Sequence, residues 1–220
     1  MTRPTRLIGV CLTTALCAYP LQAQISLAPT DRMFWVAATT ALAATAASDI
    51  ALYRFSADQR NHTLDRWAEV GDGLGAGRHL IGTMAATWAV ARLTGHKQLA
   101  HHVLHVAAAY TVGNVLVSAL KPAVGRHRPD TEDDAWRFRP FTAHSDWHAF
   151  PSAHAIHAFT IASAVATETN SRWVSIGAYA AATLVGWSRV YRLEHWPSDA
   201  LGAAILGIAS AQTTLSWLHR

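Results

Sequence analysis

Apolar segments separated by short polar stretches run through most of the chain. After residue 30 they occupy positions 34–47, 79–91, 103–120, 155–167, 173–187 and 200–218. No run alternates apolar and polar residues with the period of a half-buried strand, so sheets are not expected. The pattern predicts an all-α fold, a single bundle of about five to six apolar helices.

Polar stretches mark the expected breaks between these helices. Residues 54–65 are interpreted as a connector. The glycines at positions 71, 73, 75 and 77 predict a loop or a close-packed helix start. They do not form a nucleotide-binding phosphate loop, because the Gly-x4-Gly-Lys pattern is missing.

Composition favours a membrane-embedded bundle. Charged residues make up 15% of the chain, against about 25% in an average soluble domain. The apolar segments also lack the charged face of a soluble amphipathic helix. Two of them are short, including the Arg-bounded segment 79–91, so a soluble periplasmic bundle stays as the alternative.

The basic residues do not indicate a nucleic-acid partner. The net charge is +4, but Lys and Arg cluster near the motifs described below instead of forming a run or a stripe. Membrane lipids are the expected surroundings, and the sequence leaves the oligomeric state open.

Residues 1–23 have the pattern of a signal peptide. Arg3 and Arg6 precede an apolar run at positions 7–18, and cleavage is expected after Ala23. An uncleaved anchor helix is the alternative. The functional domain is then expected to occupy residues 31–220.

Three motifs with charged or hydroxyl side chains stand at the ends of apolar segments. The first follows segment 103–120 and contains Lys121 and Arg128, seven residues apart. These two cations would share one face if the turns stay helical, although Pro122 and Gly125 make that geometry uncertain.

The second and third motifs supply a hydroxyl, histidines and a carboxylate. Pro151-Ser152-Ala153-His154 opens an apolar segment, with the proline in an expected first turn. A hydroxyl beside free amides at a helix start forms an anion site. The third motif contains Arg189 and places His195 four residues before Asp199, so the last two can meet through a tight turn.

Each motif alone has an ordinary interpretation. Cations complement the dipole at a helix end, a Pro-Ser pair begins many helices, and a histidine beside an aspartate is often a structural hydrogen bond. Together the motifs supply fixed cations, hydroxyl and amide donors, a nucleophile with an orienting carboxylate, and a second histidine. Phosphoryl transfer without a metal needs this set of groups.

The spaced pattern Lys-x6-Arg-Pro, Pro-Ser-x-His, Ser-Arg-x5-His-x3-Asp resembles the type 2 phosphatidic acid phosphatase (PAP2) superfamily. That superfamily also contains bacterial class A acid phosphatases and vanadium haloperoxidases. The likeness covers roughly the last half of the chain. It implies a phosphatase acting on lipid phosphate monoesters or pyrophosphates, such as phosphatidic acid or polyprenyl phosphates. It also implies no metal and no cofactor, with vanadate only as an inhibitor.

The resemblance also implies a role for each motif residue. His195 would attack phosphorus and form a phosphohistidine, Asp199 would orient it, and His154 would protonate the leaving oxygen and then activate water. The phosphate oxygens would be bound by the side chains of Lys121, Arg128, Ser152 and Arg189 and by the backbone N–H of Ala153.

Ala153 departs from the family pattern, which has glycine at this position. The substitution keeps the amide donor but disfavours a positive φ. It costs little if the backbone is helical there, and it puts activity in doubt if the backbone must be left-handed.

The polar stretch between Pro129 and Pro151 has two interpretations. It is either a solvated loop or, because Trp136 and Phe138 alternate with arginines, a contact surface for lipid headgroups at the membrane interface.

Location follows from the signal and from the number of crossings. With an exported N-terminus, the chain reaches Lys121 on the periplasmic side if segment 79–91 does not cross the membrane, and on the cytoplasmic side if it does. The inner membrane of a bacterial-type envelope, with the site facing the periplasm, is the favoured location.

Three alternative functions stay open. A soluble class A-type acid phosphatase would use the same residues. A vanadium haloperoxidase would hold vanadate in the same pocket, although such enzymes are usually larger. The only feature that supports a catalytically silent membrane protein is Ala153, at the position where the family has glycine.

Overall fold

The computed structural model describes residue 29, residues 31–129 and residues 134–220. The expected signal segment, with Cys11 and Cys17, lies outside these residues. Within them the chain forms eight α-helices and one short 3-10 helix, and the only extended pairing is an isolated bridge between Arg126 and Phe138. The α-helices are α1 (Arg32–Ala47), α2 (Asp49–Asp58), α3 (His62–Gly75), α4 (Gly77–Leu93), α5 (Lys97–Val124), α6 (Ala153–Thr169), α7 (Arg172–Tyr191) and α8 (Pro197–Leu218).

The all-α prediction is confirmed, with more helices than expected. The connector interpretation of residues 54–65 is wrong, because α2 runs to Asp58 and α3 begins at His62. The Asn61 side chain caps α3 by accepting hydrogen bonds of 3.1 Å from the backbone N–H groups of Thr63 and Leu64. Neither helix contains a long uninterrupted apolar segment, so the apolar segments did not indicate them, although α3 has a clear amphipathic periodicity.

The glycine cluster is helical, and the loop interpretation is wrong. Gly71, Gly73 and Gly75 lie in α3, and Gly77 begins α4. A Cβ atom added to Gly71 would lie 2.7 Å from the carbonyl oxygen of Leu184 on α7. The second interpretation, close packing of helices, is therefore correct for Gly71.

α6 is the centre of the bundle and packs against α5, α7 and α8. Its buried positions are mainly alanine, serine and threonine. A Cβ added to Gly113 on α5 would lie 2.8 Å from Thr160 Oγ1, and one added to Gly207 on α8 would lie 2.8 Å from the Ile156 carbonyl oxygen. Small residues thus bring the helices close together, as is common in membrane bundles.

Two helices of the described chain, α5 and α8, are long and apolar enough to span a bilayer. α1 and α2 are bent by 62° at the break between them, and they would form a third span if the pair is counted as a single spanning element. Large apolar side chains are exposed on the helices, among them Val90 (59%), Val115 (62%) and Trp217 (71%). Faces of this kind favour lipid over water, so the architecture is that of a helical membrane protein.

α5 ends just after the first motif begins. Its cap, Gly125, is left-handed with φ 59°, and a Cβ there would lie 1.8 Å from the carbonyl oxygen of Arg139, so only glycine fits. Lys121 is in the last helical turn, whereas Arg128 lies beyond the cap. The helical turns therefore do not continue to Arg128, the condition for a shared helical face is not met, and the loop that returns over the cap brings Arg128 into place.

Candidate active site

Four helix ends meet at one end of the bundle and carry the motif residues. Lys121 is at the end of α5, His154 in the first turn of α6, Arg189 near the end of α7, and Asp199 in the first turn of α8. His195 lies in the short link between α7 and α8. The three motifs are therefore assembled into one site by the antiparallel order of the four helices.

Asp199 faces His195 across the beginning of α8. Pro197 occupies the first helical turn as expected, and Asp199 Oδ2 accepts a 2.9 Å hydrogen bond from the Trp196 backbone N–H. The same oxygen lies 3.6 Å from His195 Nδ1. This separation exceeds a hydrogen bond but lies within ion-pair range, so the contact strengthens when the imidazole is charged.

A buried ionic network fixes the other side of Asp199. Arg126 Nη1 donates to Asp199 Oδ1 and to Ser198 Oγ, each at 2.7 Å, and Arg126 Nη2 donates to Asp49 Oδ2 at 2.7 Å. Arg126, Asp49 and Asp199 are almost entirely buried. Sequence reasoning missed Arg126 and Asp49, and the only signal available was that Asp49 is the first charge after an apolar segment.

The environment of His195 keeps its imidazole neutral. Burial lowers the pKa of His195, the Asp199 carboxylate raises it, and the charges of Lys121 and Arg128 lower it, with a net pKa of about 4. At pH 7 the ring therefore has one unprotonated nitrogen. A nitrogen with a free lone pair is what a nucleophile requires.

The cations of the site are paired with carboxylates that the sequence analysis left without a role. Arg189 donates hydrogen bonds to Asp72 and to Glu194. Glu194 Oε2 also lies 3.9 Å from Arg128 Nη1, and Glu194 Oε1 accepts from Arg192 Nε at 3.3 Å. A phosphate binding to Arg189 and Arg128 must therefore compete with Glu194.

Asp72 connects α3 to the site. Its Oδ1 lies 3.6 Å from His154 Nε2, and it also binds Arg189. Asp72 comes directly after Gly71, the residue that allows α3 to lie against α7. No spacing in the sequence relates Asp72 to the three motifs, which explains why it was missed.

Lys121 is held at the edge of the site by the returning loop. Its Nζ donates a 2.5 Å hydrogen bond to the carbonyl oxygen of His148. Its charge interacts with Arg128, Arg189 and Asp199. The ammonium group therefore belongs to the same electrostatic cluster as the other expected phosphate ligands.

The backbone at the start of α6 accepts alanine at position 153. Ala153 is the first helical residue, and it is not among the described residues with positive φ. The added methyl group is thus compatible with the backbone.

Pro151, expected in the first turn, instead precedes the N-cap Ser152. Ser152 Oγ is buried and has no hydrogen-bond partner among the described residues, so it is free to donate to an anion.

Two grooves adjoin the site and share Tyr191. A polar groove of about 610 Å³ is lined by Arg60, Arg66, Asp72 and Arg192 among others. An apolar groove of about 520 Å³ is lined by Leu52, Phe55, Trp187, Val190 and Pro197 among others. The polar groove reaches the site through Asp72, which contacts His154 and Arg189, and the apolar groove lies beside it along α2, α7 and the start of α8.

The family model described as the PAP2 superfamily matches residues 102–220, which is more than half of the chain. The chain belongs to the PAP2 superfamily. The matched region contains all three motifs and runs from α5 to the end of α8. The PAP2 resemblance inferred from the sequence is confirmed.

Curated proteins similar to this PAP2 chain include lipid phosphatases. A lipid A 1-phosphatase of Porphyromonas gingivalis is 36% identical over 95 residues, covering 42% of this chain and 18% of that protein. A lipid A 1-phosphatase of Rhizobium johnstonii is 34% identical, covering 42% and 38%. The putative undecaprenyl-diphosphatase YbjG of Escherichia coli is 32% identical, covering 54% and 59%. The chain therefore spans less than two thirds of the length of these relatives.

Two solved PAP2-like structures share the fold. Aquifex aeolicus LpxE has a TM-score of 0.62 and 23% identity, with 76% of this chain and 94% of that chain covered. The transmembrane PAP2 type phosphatidylglycerolphosphate phosphatase from Bacillus subtilis has a TM-score of 0.64 and 23% identity, with 84% and 95% covered. The helical arrangement is thus that of these two structures, the second of which is described as transmembrane.

Proposed function

We propose that this protein is a metal-independent phosphatase that hydrolyses phosphate monoesters or pyrophosphates of lipids through a phosphohistidine intermediate. The observation that carries the proposal is a buried, neutral His195 beside Asp199, at a helix junction that also gathers Lys121, Arg128 and Arg189. The cations can bind the phosphate oxygens, and a neutral imidazole can attack phosphorus, so this combination of groups suits phosphoryl transfer.

In the first step the free nitrogen of His195, Nε2, attacks phosphorus, and the bond from phosphorus to the leaving oxygen breaks. Asp199 faces Nδ1, so it holds the proton on that nitrogen and stabilises the imidazolium that forms. His154 donates a proton to the leaving oxygen.

In the second step the roles reverse. His154, now neutral, accepts a proton from water, whose oxygen attacks phosphorus while the bond to His195 Nε2 breaks. The products are inorganic phosphate and the free enzyme. Asp72 lies 3.6 Å from His154 Nε2, which suits a carboxylate that orients this histidine.

Three cations and two donors would neutralise the phosphate oxygens. Arg189 and Arg128 become available when phosphate displaces Glu194, while Lys121 adds a third charge. The Ser152 hydroxyl and the Ala153 N–H lie at the start of α6, where a helix favours anions.

A lipid is the substrate class that fits the surroundings. The polar groove suits a headgroup, and the apolar groove suits the beginning of an acyl or prenyl chain. The names of the relatives, lipid A 1-phosphatase and undecaprenyl-diphosphatase, support amphiphilic phosphates as a class. Exposed Trp136 and Phe138 on the loop beside the site suit contact with lipid headgroups.

We also propose that the site faces the periplasm. Trp35, near the start of α1, shares a groove with Trp217 and Leu218 at the end of α8, whereas Asp49, just after α1, binds Arg126 and Ser198 beside the site. α1 therefore runs from the remote end of the bundle to the site, and the site faces the periplasm when the chain enters α1 from the cytoplasmic side.

A substrate panel with purified protein tests the function. In chelator, the wild type is expected to release phosphate from phosphatidic acid or a polyprenyl pyrophosphate faster than from a soluble phosphate ester. His195→Ala should abolish release, whereas His96→Ala, which changes an exposed histidine at the other end of α5, should leave it unchanged. Full activity of His195→Ala would refute the nucleophile, and halide oxidation dependent on vanadate and peroxide without phosphate release would favour the haloperoxidase alternative.

A further inference from the structure

A second group of titratable side chains lies at the opposite end of the bundle. His105 is near the start of α5, Glu168 near the end of α6, and His219 caps the end of α8. His105 and Lys121 are sixteen residues apart on one helix, so about 24 Å of helix axis separates this group from the candidate active site. The proposed phosphatase mechanism uses none of these residues.

Three imidazoles converge on the Glu168 carboxylate. Glu168 Oε1 lies 2.9 Å from His105 Nδ1 and 3.0 Å from His219 Nε2, while Glu168 Oε2 lies 3.5 Å from His102 Nε2. The Glu168 side chain is only 5% exposed. Its ion-pair partners within the described chain are all histidines, which carry no permanent charge at neutral pH. A buried carboxylate therefore lacks a fixed counter-charge.

The ligand atoms are spaced for a small cation. One nitrogen of His105, one of His219 and a carboxylate oxygen of Glu168 all lie within 4.8 Å of one another. A tetrahedral zinc ion with bonds of about 2.0–2.1 Å would set its ligand atoms roughly 3.3 Å apart. The present separations of 2.9 and 3.0 Å would need to open by only a few tenths of an ångström. His102, three residues before His105 on the same helix face, has its Nε2 3.5 Å from Glu168 Oε2 and is a candidate for a fourth ligand.

We propose that His105, Glu168 and His219 form a binding site for a divalent transition metal ion of the zinc class, with His102 completing it. Neutral imidazole and carboxylate are the ligand types that such ions take. The ion would supply the missing positive charge beside Glu168. It would also join the ends of α5, α6 and α8, so its role is to stabilise the bundle at the end remote from His195.

Metal binding is tested on the full-length protein, purified in detergent with a tag that contains no histidine and stripped with chelator. Zn²⁺ is titrated by calorimetry, and Co²⁺ is titrated by its visible absorption, which reports four-coordinate geometry. The wild type should bind one equivalent of each. Glu168→Gln and His219→Gln should each weaken binding by at least about tenfold. The matched control is His96→Gln, an exposed histidine at the same end of the bundle that is bonded to Thr94, and it should bind as the wild type does.

Two measurements keep the result independent of folding and of phosphatase activity. Zn²⁺ should raise the unfolding temperature of the wild type and of His96→Gln but not of Glu168→Gln, because a ligand stabilises the state that binds it. His219 is largely exposed, so His219→Gln should fold normally and still lose the shift. No stoichiometric binding to the wild type, or equal binding by the His96 and His219 variants, would overturn the site. The binding result does not depend on whether the protein is a phosphatase.

Discussion

Glu194 occupies the position among the arginines that a phosphate would take. It pairs with Arg189, Arg128 and Arg192, and its side chain is about one-third exposed. The sequence places Glu194 directly before His195, but gave no reason to connect it with the anion site. The geometry makes it an internal competitor for the substrate.

Replacing Glu194 by glutamine should therefore strengthen the binding of inorganic phosphate. An ion pair this exposed contributes about 1 kcal/mol, which corresponds to roughly a fivefold lower inhibition constant. The measurement is product inhibition by inorganic phosphate, compared between the wild type and Glu194→Gln. The control is Glu69→Gln, which removes an exposed carboxylate of the polar groove and so reports the effect of a general change of charge. Weaker inhibition in Glu194→Gln would mean that the carboxylate helps to hold phosphate.

The depressed pKa of His195 also predicts how stability depends on pH. The folded imidazole titrates at a pKa of about 4, whereas an unfolded histidine titrates near 6.5. Between these values the unfolded chain binds more protons, so stability is full above about pH 6.5 and is lost as the pH falls toward 4. His195 alone accounts for about 3 kcal/mol over this window.

Unfolding in detergent at pH 7 and pH 4.5 measures this effect. His195→Gln should lose less stability between the two pH values than the wild type, and His96→Gln should behave as the wild type. Equal losses in His195→Gln and the wild type would contradict a buried neutral imidazole.

At the scale of helices, the contact between α3 and α7 positions part of the site. Gly71 lies against the carbonyl oxygen of Leu184 and the side chain of Ser188, and the next residue, Asp72, binds Arg189. Gly73 lies on the same helix with nothing within 4 Å of its Cβ position. The two glycines therefore form a matched pair for mutation.

Gly71→Ala is expected to push α3 away from α7 and to move Asp72 from Arg189 and His154. Phosphate release should fall by at least about tenfold, because small misplacements of catalytic groups have large effects on rate. Gly73→Ala should keep full activity and gain up to about 1 kcal/mol of stability from helix propensity. Equal activities of the two variants would show that the close approach is not required for the site.

At the scale of the whole molecule, the two ends of the bundle should lie on opposite sides of the membrane. The exposed Ala143 is in the loop beside the candidate active site, and the exposed Lys97 begins α5 at the other end. In a background with Cys11→Ala and Cys17→Ala, an impermeant maleimide should label Ala143→Cys in cells whose outer membrane has been permeabilised. Lys97→Cys should react only after lysis. The reverse pattern would place the site in the cytoplasm.

The fold class and the motif residues could be predicted because their signals are local. Long apolar segments without strand periodicity can satisfy their backbone groups in lipid only as helices. The family motifs have fixed spacings at helix ends, so they identified His195, Asp199, His154 and the cations. α2 and α3 contain no long apolar segment and no family motif, and the expected connector at residues 54–65 was wrong because the amphipathic periodicity of α3 was not recognised as a helix.

The sequence by itself determined the helical bundle, the three motifs and the membership in a phosphatase superfamily. Only the tertiary structure decided which distant groups join them: Arg126 and Asp49 behind Asp199, Asp72 beside His154, and the histidines around Glu168. The physical reason is that these contacts cross between helices, and their geometry depends on where helices end and how closely they pack. A left-handed cap at Gly125 and a missing side chain at Gly71 set those positions, and the spacing of residues along the chain does not contain them.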